Sequence, residues 1–274
     1  MKFLSSNHTL LMGVLNVTPD SFSDGGRFFD KDTAIAHGIE MAGEGADIID
    51  VGGESTRPGA KEVRCEEEIR RVIPVIEKLA GRTKAAISVD TQKSRVAEAA
   101  LKAGASIVND ISGLKYDKDM AGVAARYGAG MILMHMKGRP ENMQDSCRYS
   151  NLISEIRDSL RFSANEAFKA GVKKDSVAID PGIGFGKTVE QNLEILNRLE
   201  EFKNLGLPLC VGTSRKSFIG KLLDSPGADD ILAGTIGSCV AAVIKGVRIL
   251  RIHDVKAVRD AVTITEKISG AKRG

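Results

Sequence analysis

"SVAIDPGIGFGKT", residues 176–188, shows the pattern from which the fold can be predicted. A short apolar run stops at Asp180, and glycines follow almost at once. The ending is similar to a phosphate-binding P-loop, which needs four residues between a first Gly and a Gly-Lys pair. Pro181 stands where that first Gly belongs, so the motif fails by one residue. The stretch therefore indicates a buried strand that ends in a carboxylate and leads into a Gly-rich loop.

Seven further apolar runs lie along the chain, and amphipathic helical patterns separate them. Each run is apolar on both faces, as in a buried parallel sheet. Eight strand–helix units in roughly 250 residues predict a (β/α)8 TIM barrel of the α/β class. The alternative is a doubly wound open sheet, which needs a Gly-rich turn after its first strand. The predicted strands are 10–17, 47–53, 85–90, 106–110, 130–135, 176–180, 208–213 and 247–253.

No linker, repeat or shift in composition divides the chain. We therefore predict one domain over residues 1–274, with its core at about 10–265. The connections at about 17–30, 53–63 and 137–150 are longer than usual and rich in Gly, Pro, Ser, Asp and Arg. Long loops on one rim of a barrel are often functional.

Composition excludes several classes of protein. The formal net charge is only +3 over 274 residues, and no basic run is present, so nucleic acid is not expected as a partner. The four cysteines form no CxxC pair, which argues against a zinc site or a disulfide framework. No segment has the length of a signal peptide's apolar core or of a membrane span, so a cytoplasmic location is predicted.

Polar residues stand at or just beyond the ends of all eight strands. A TIM barrel carries its chemistry at these C-terminal ends. For any one position, a cap of the following helix is an equally good interpretation, and Asp50 and His135 fit a structural role well. The residues concerned are Asn16, Asp50, Asp90, Asn109, His135, Asp180, Thr213, Arg251 and His253.

The side chains sort into two chemical groups. Asp90, Asn109 and Asp180 suit a flat heterocycle rich in N–H, because buried carboxylates need donors. A second group, Arg57, Lys216, and Arg251 with His253, is cationic or able to bind a metal and suits an anion. Arg251 and His253 lie two residues apart and share a strand face.

Other residues complete the predicted site. Asn16 and Thr56 can offer neutral oxygens to Mg²⁺. This ion is usually bound by few protein oxygens together with oxygens of the substrate phosphates. Phe22 and Phe185, in Gly-rich loops, are expected to be apolar walls for a planar ligand. No Ser-His-Asp arrangement and no Cys beside a His is evident. The pattern favours a reaction in which a good leaving group departs and an amine attacks.

Seven motifs together resemble the dihydropteroate synthase family over about residues 10–260. The resemblance implies condensation of 6-hydroxymethyl-7,8-dihydropterin diphosphate with 4-aminobenzoate, with Mg²⁺ as cofactor and an SN1-like departure of diphosphate. It also implies a stand-alone enzyme of folate biosynthesis, a homodimer and a target of sulfonamides. The motifs are MGVLNVTPDSFSDGG, DVGGESTRPGA, SVDTQKSRVA, NDISG, DPGIGFGKT, GTSRKSFIG and RIHDV.

The resemblance also implies residue roles, and Asn16 matches the metal ligand. Loop residues expected to close over 4-aminobenzoate are Phe22, Asp24, Arg57, Pro58 and Ser217, with Phe185 beside them. The residues matching positions that bind the pterin diphosphate are Thr56, Asp90, Asn109, Asp180, Lys216, Arg251, Ile252 and His253. As catalytic residues we predict Arg57, Lys216, Asp90 and Asp24.

Three alternatives remain open at this point. A pterin-dependent methyltransferase would need the acidic pocket but not the cations of GTSRKSF. A non-catalytic pterin-binding protein would keep the pocket and release no diphosphate. A phosphosugar-metabolising barrel would leave Asp90, Asn109 and Asp180 without a partner.

Overall fold

The chain folds around eight parallel strands in the computed structural model, which describes residues 8–18, 31–56, 59–143, 147–224 and 231–270. Every predicted strand is present, each shortened by one to four residues, so the strand predictions are confirmed. The strands are β1 Leu10–Asn16, β2 Ile48–Gly52, β3 Ala86–Asp90, β4 Ile107–Asp110, β5 Gly130–Met134, β6 Val177–Asp180, β7 Cys210–Val211 and β8 Ile249–Ile252.

Helices follow the strands and cover the outside of the sheet. Among the described residues, none of them is long and apolar enough to cross a membrane. The α-helices are α1 Lys31–Gly43, α2 Cys65–Ala80, α3 Ser94–Lys102, α4 Met120–Tyr127, α5 Leu152–Lys169, α6 Val189–Asn197, α7 Ser217–Leu222, α8 Ile231–Ile244 and α9 Val255–Gly270. Short 3-10 helices at Lys174–Ser176 and Leu199–Leu205 precede β6 and β7.

The sheet curls into a barrel. Its strand order is β6-β5-β4-β3-β2-β1-β8-β7, so β6 and β7 are the two ends. These ends meet at one parallel bridge between Ile179 and Leu209, where the Ile179 N–H donates to the Pro208 carbonyl at 3.0 Å. The predicted (β/α)8 barrel is confirmed, and the doubly wound sheet is excluded. That the whole chain forms one domain stays a prediction.

Two apolar layers result from the alternation of side chains along each strand. Every second residue of a strand points into the barrel interior, and the residues between them pack between the strands and the helices. Residues that share one of these two sets are said to have the same parity. A strand-end residue with the parity of the interior set therefore points into the barrel mouth. The interior cluster comprises Leu10, Met12, Ile48, Ile107, Ile132, Ala178, Cys210 and Ile249.

The Gly-rich stretch after β6 has a structural explanation. Thr188 caps α6: its side chain accepts from the Gln191 N–H at 3.2 Å, while Gln191 Oε1 accepts from the Thr188 N–H at 2.9 Å. This is a capping box. At Gly182 φ is +74°, and a Cβ there would lie 2.0 Å from the His135 carbonyl oxygen, so only glycine fits. The sequence similarity to a P-loop is thus a helix start joined to a tight turn.

Candidate active site

The strand register brings the predicted polar residues of β1 to β4 side by side. Asn16 is level with Gly52, Gly52 with Asp90, and Asp90 with Asn109. Gly52 has no side chain, and a Cβ built there would lie 3.6 Å from Asp90 Oδ2 and 3.9 Å from Asn16 Oδ1. The mouth therefore stays open between these two side chains. On the other side of the barrel, Asp180 ends β6 with the parity of the interior residue Ala178.

Arg251 connects several of these side chains from below. Its Cα is level with Met12, in the interior layer beneath the mouth. The guanidinium reaches upward, with Nε 2.7 Å from Asp50 Oδ2 and a terminal nitrogen 2.7 Å from Asp90 Oδ2. Asn109 Nδ2 donates to the same Asp50 oxygen at 3.0 Å. The acidic and cationic groups, expected to be separate, are therefore interleaved.

Asp50 corrects one sequence-based interpretation. We expected a cap of the following helix as a good explanation of this residue. It is instead completely buried inside the barrel, where it accepts from Arg251 and Asn109. Its second oxygen, Oδ1, has no hydrogen-bond partner, and neither has the Oγ of Ser88, the residue level with it on β3. Asp50 supports the mouth from beneath.

Burial sets the protonation of the carboxylates. It raises the pKa of Asp90 to about 7, an effect that Arg251 opposes and Asp50 reinforces. Burial also raises the pKa of Asp180, whereas the Gly182 N–H, which donates to Asp180 Oδ1 at 2.7 Å, and the nearby cations lower it. Besides the Gly182 N–H, the buried Cys210 thiol is hydrogen-bonded to the Asp180 carboxyl, which ends β6 with the parity of the interior residues. Asp90 and Asp180 are both placed to form hydrogen bonds with a bound heterocycle.

Lys216 borders the mouth next to Asp180. It is the residue before α7, and its Nζ lies 4.2 Å from the centroid of the Phe185 ring, a cation–π distance. Burial, and then the charge of Arg251, lower its pKa to about 8. An anionic ligand would reverse that effect and hold the ammonium form.

His253, predicted to be cationic or able to bind a metal, carries no positive charge in this structure. Burial and then the charge of Arg251 lower its pKa to about 3, so the ring is neutral at pH 7. Ser214 Oγ accepts from the His253 backbone N–H at 3.1 Å and lies 3.1 Å from His253 Nδ1. In the tautomer whose Nδ1 accepts from the Ser214 hydroxyl, Nε2–H is left as a donor. His253 is therefore suited to donate to an anion without carrying charge.

An apolar wall lines the mouth near β5, and sequence reasoning found only one of its members. The residues pack as a separate small cluster consisting of Ile111, Met134, Met136, Met143 and Phe185. Met134, not His135, has the interior parity at the end of β5, because Ile132 faces the interior. The alternation of side chains along β5 was the signal that would have identified Met134, because Met134 lies two residues after the interior residue Ile132.

Lys187 and His135 form a buried pair behind the site. Lys187 Nζ lies 3.2 Å from His135 Nδ1 and 2.9 Å from the Phe185 carbonyl oxygen. Burial lowers the pKa of Lys187 to about 7 and, with help from the lysine, that of His135 to about 2. The neutral imidazole can therefore accept from the ammonium. This pair ties the loop after β6, and with it Phe185, to the end of β5, so the structural interpretation of His135 fits.

The remaining predicted residues have different positions. Ile252 has the outward parity and is completely buried between the barrel and the helices, so only its main chain can face a ligand. Ser217 is exposed in the first turn of α7, and Thr56 is half-buried in the loop after β2. Four predicted residues lie outside the described part of the chain: Phe22, Asp24, Arg57 and Pro58.

Comparison with known proteins agrees with this geometry. The chain belongs to the pterin binding enzyme family, whose model matches residues 12–253. A dihydropteroate synthase of Clostridium beijerinckii is 48% identical over 268 residues, which are 97% of each chain. Within the pterin binding enzymes, the chain's family is that of the dihydropteroate synthases.

Solved structures show the same fold with ligands. The Xanthomonas albilineans dihydropteroate synthase with 4-aminobenzoic acid superposes with a TM-score of 0.91 at 41% identity, covering 97% of this chain and 95% of that one. The Clostridium difficile dihydropteroate synthase determined in the presence of pteroic acid has a TM-score of 0.90 at 48% identity, covering 96% and 97%.

Proposed function

We propose that this chain is a dihydropteroate synthase, which condenses 6-hydroxymethyl-7,8-dihydropterin diphosphate with 4-aminobenzoate to give 7,8-dihydropteroate and diphosphate. One observation carries the proposal: two buried carboxylates and an amide, Asp90, Asp180 and Asn109, surround the same barrel mouth as Lys216 and Arg251. The acids suit a pterin ring, and the cations suit its diphosphate. The relatives crystallised with 4-aminobenzoic acid and with pteroic acid support the same pair of substrates.

The pterin ring fits the acidic side of the mouth. A ring N–H beside an exocyclic amine would donate to the Asp180 carboxylate, and Asn109 Oδ1 would accept a further N–H, since Asn109 Nδ2 is already used by Asp50. Met134, Ile111 and Phe185 supply apolar surface for the flat ring. Asp90, fixed by Arg251, lies beside Asn109 on the neighbouring strand.

The diphosphate fits the cationic side. Lys216 would pair with its oxygens, Arg251 would add charge from below, and the neutral His253 would donate one hydrogen bond. The described residues contain no group of three or more His, Cys, Asp and Glu side chains that could hold a metal by itself. A Mg²⁺ ion that takes most of its oxygens from the substrate needs only a neutral protein oxygen. Asn16, which borders the open part of the barrel mouth at Gly52, offers one. When bound, Mg²⁺ would shield the diphosphate charge and so stabilise it as a leaving group.

The chain's own residues then orient the two substrates and stabilise the charges that develop as diphosphate leaves. The bond between the methylene carbon and the diphosphate oxygen breaks, and its electron pair leaves with diphosphate. Asp180 and Asn109 stabilise the electron-poor pterin that remains. The neutral amine of 4-aminobenzoate forms the new C–N bond and releases a proton, so no strong base is needed. The loop residues Phe22, Asp24, Arg57, Pro58 and Ser217 are proposed to hold 4-aminobenzoate, and the homodimer and cytoplasmic location stay predictions.

The decisive experiment is the release of diphosphate by the purified protein. We expect release only when the pterin diphosphate, 4-aminobenzoate and Mg²⁺ are all present, and competition by sulfonamides with 4-aminobenzoate. In Asn16→Ala, the Mg²⁺ concentration for half-maximal rate should rise about tenfold, because the protein oxygen is lost. A protein that binds the pterin but releases nothing would be a non-catalytic binder, and the proposal would be wrong.

A further inference from the structure

Two side-chain pairs join the loop after β7 to the loop after β8. The backbone ladder between these strands is two register pairs long, and the side-chain pairs lie beyond its end. Ser214 Oγ contacts His253, and the next residue along each loop forms a second pair. Arg215 donates to both oxygens of Asp254, with Nε 3.2 Å from Oδ2 and a terminal nitrogen 2.6 Å from Oδ1. This bidentate geometry fixes the direction of the guanidinium as well as its distance.

Arg215 has a backbone conformation that arginine rarely adopts. Its φ is +56°, in the left-handed region that favours glycine. The turn is closed by the Lys216 N–H, which donates to the Thr213 carbonyl at 3.2 Å, and the Arg215 N–H donates to Thr235 Oγ1 at 3.3 Å. Backbone strain of this kind persists where surrounding contacts hold it, and it is concentrated at functional sites. A glycine would adopt the turn without strain, so the turn alone does not explain the arginine.

Stability does not explain the arginine either. The side chain of Arg215 is 49% exposed, and that of Asp254 is 23% exposed. Ion pairs this accessible to water contribute little to the free energy of unfolding. The explanation must therefore come from what the pair adjoins.

Both neighbours of the pair border the barrel mouth. Lys216 follows Arg215 directly, and its Nζ lies 4.2 Å from the centroid of the Phe185 ring. His253 precedes Asp254 directly and has the parity of the interior residues of β8. A shift of one loop along the other would change the distance between the ammonium group and the imidazole. These are two of the groups that are proposed to bind the diphosphate.

We propose that Arg215, through its pair with Asp254, is a positioning residue for the diphosphate group of the pterin substrate. It sets the spacing of Lys216 and His253, the two side chains next to the pair. This inference rests on the proposed function. The pair acts through these two side chains and leaves the pterin ring to the acidic side of the mouth. Loss of the pair should therefore weaken binding of the diphosphate and spare binding of the ring.

The test compares two ligands by calorimetry: the pterin diphosphate, and 6-hydroxymethyl-7,8-dihydropterin, which lacks the diphosphate. Arg215→Gly removes the side chain and relieves the backbone strain, so the variant should fold. We expect its affinity for the pterin diphosphate to fall about tenfold, the effect of losing one charge-assisted hydrogen bond. Its affinity for the ligand without diphosphate should change less than about twofold, because the ring site shares no partner with the pair.

Asp254→Ser separates positioning from direct contact. Serine is as good as aspartate directly before a helix, here α9, but it is too short to hold both guanidinium nitrogens. If Arg215 acts by position, this variant should lose about as much affinity as Arg215→Gly, and the double variant should lose no more than either. If Arg215 instead binds the diphosphate directly, its release from Asp254 leaves the affinity unchanged or raises it, and the inference is overturned.

Arg198 provides the matched control. It forms a partly exposed bidentate pair with Glu201, at 2.6 and 3.1 Å, but it lies before the 3-10 helix that leads to the start of β7. Arg198→Ala should leave both affinities unchanged.

Two other results would overturn the inference: wild-type affinity for the pterin diphosphate in Arg215→Gly, or an equal loss for both ligands, which would show general damage to the pocket. If wild type binds the pterin diphosphate without turnover, the proposed function fails, while the difference between the two ligands still decides this inference. If wild type does not bind it, both fail.

Discussion

Replacing Arg251 with methionine should destabilise the fold as well as stop catalysis. The sequence suggested only an anion-binding residue at this position. In the structure, the guanidinium lies between the buried carboxylates of Asp50 and Asp90, at 2.7 Å from each. Methionine keeps an unbranched apolar stem in place of the aliphatic part of arginine, so the variant removes the charge and leaves two acids facing each other. Breaking a buried ion pair from one side typically costs about 3 to 5 kcal/mol of unfolding free energy.

The cost should depend on pH. Burial raises the folded-state pKa of Asp90 to about 7, and Arg251 opposes this rise, so the pKa of Asp90 should be higher still in the variant. A carboxyl whose pKa is raised on folding binds more protons in the folded state. Its contribution to stability is then greatest at low pH and is lost as pH rises through the folded-state pKa. The contribution of Asp90 to stability should grow on acidification in both proteins, and it should grow more in the variant. Between about pH 7.5 and 5.5, the deficit of Arg251→Met should shrink by about 1 kcal/mol.

Urea unfolding followed by far-ultraviolet circular dichroism measures this deficit, because the chain has no tryptophan for fluorescence. The control is the double variant Asp50→Asn with Arg251→Met, which removes one of the opposed acids and should recover about 1 to 2 kcal/mol. A deficit under about 1 kcal/mol at pH 7.5, or one that grows on acidification, would refute the reasoning.

Three further predictions concern single buried groups. Asp180→Asn should weaken binding of the pterin diphosphate by roughly 2 to 4 kcal/mol, because the amide presents a donor to a ligand N–H; unchanged affinity in calorimetry would contradict the pocket assignment. Lys187 has a pKa lowered to about 7, so the folded state binds fewer protons above that pH and wild type gains stability as pH rises. The deficit of Lys187→Met in urea unfolding should therefore be about 2 kcal/mol larger near pH 9 than near pH 6.5, and a flat profile would count against it. Ser88→Ala should change unfolding free energy by less than about 1 kcal/mol or increase it, because the buried hydroxyl has no partner; a loss above about 2 kcal/mol would show a missing bond.

The barrel could be predicted from the sequence because strand periodicity is a local signal. The positions of Asp90, Asn109 and Asp180 at the barrel mouth could be predicted for the same reason: each lies at the end of an apolar run. The barrel geometry then converts eight separate strand ends into one rim.

Side-chain contacts between strands that are far apart in the sequence could not be predicted. Asp50 and Arg251 are 201 residues apart, and nothing near either one indicates the other. Lys187 lies in a stretch that resembles an incomplete P-loop motif. Its burial depends on the close approach of the His135 carbonyl group to Gly182. The neutrality of His253 likewise follows from burial and neighbouring charge, which a motif does not encode.

The single bridge between Ile179 and Leu209 makes the β6–β7 junction the weakest seam of the barrel. Asp180 ends the strand on one side of that seam, and Lys216 follows the strand on the other. A substrate that binds both Asp180 and Lys216 would link β6 to β7 across this junction. Amide hydrogens of β6 and β7 should therefore exchange with solvent faster than those of β1 and β2 in the free protein, and slow markedly when the pterin diphosphate binds.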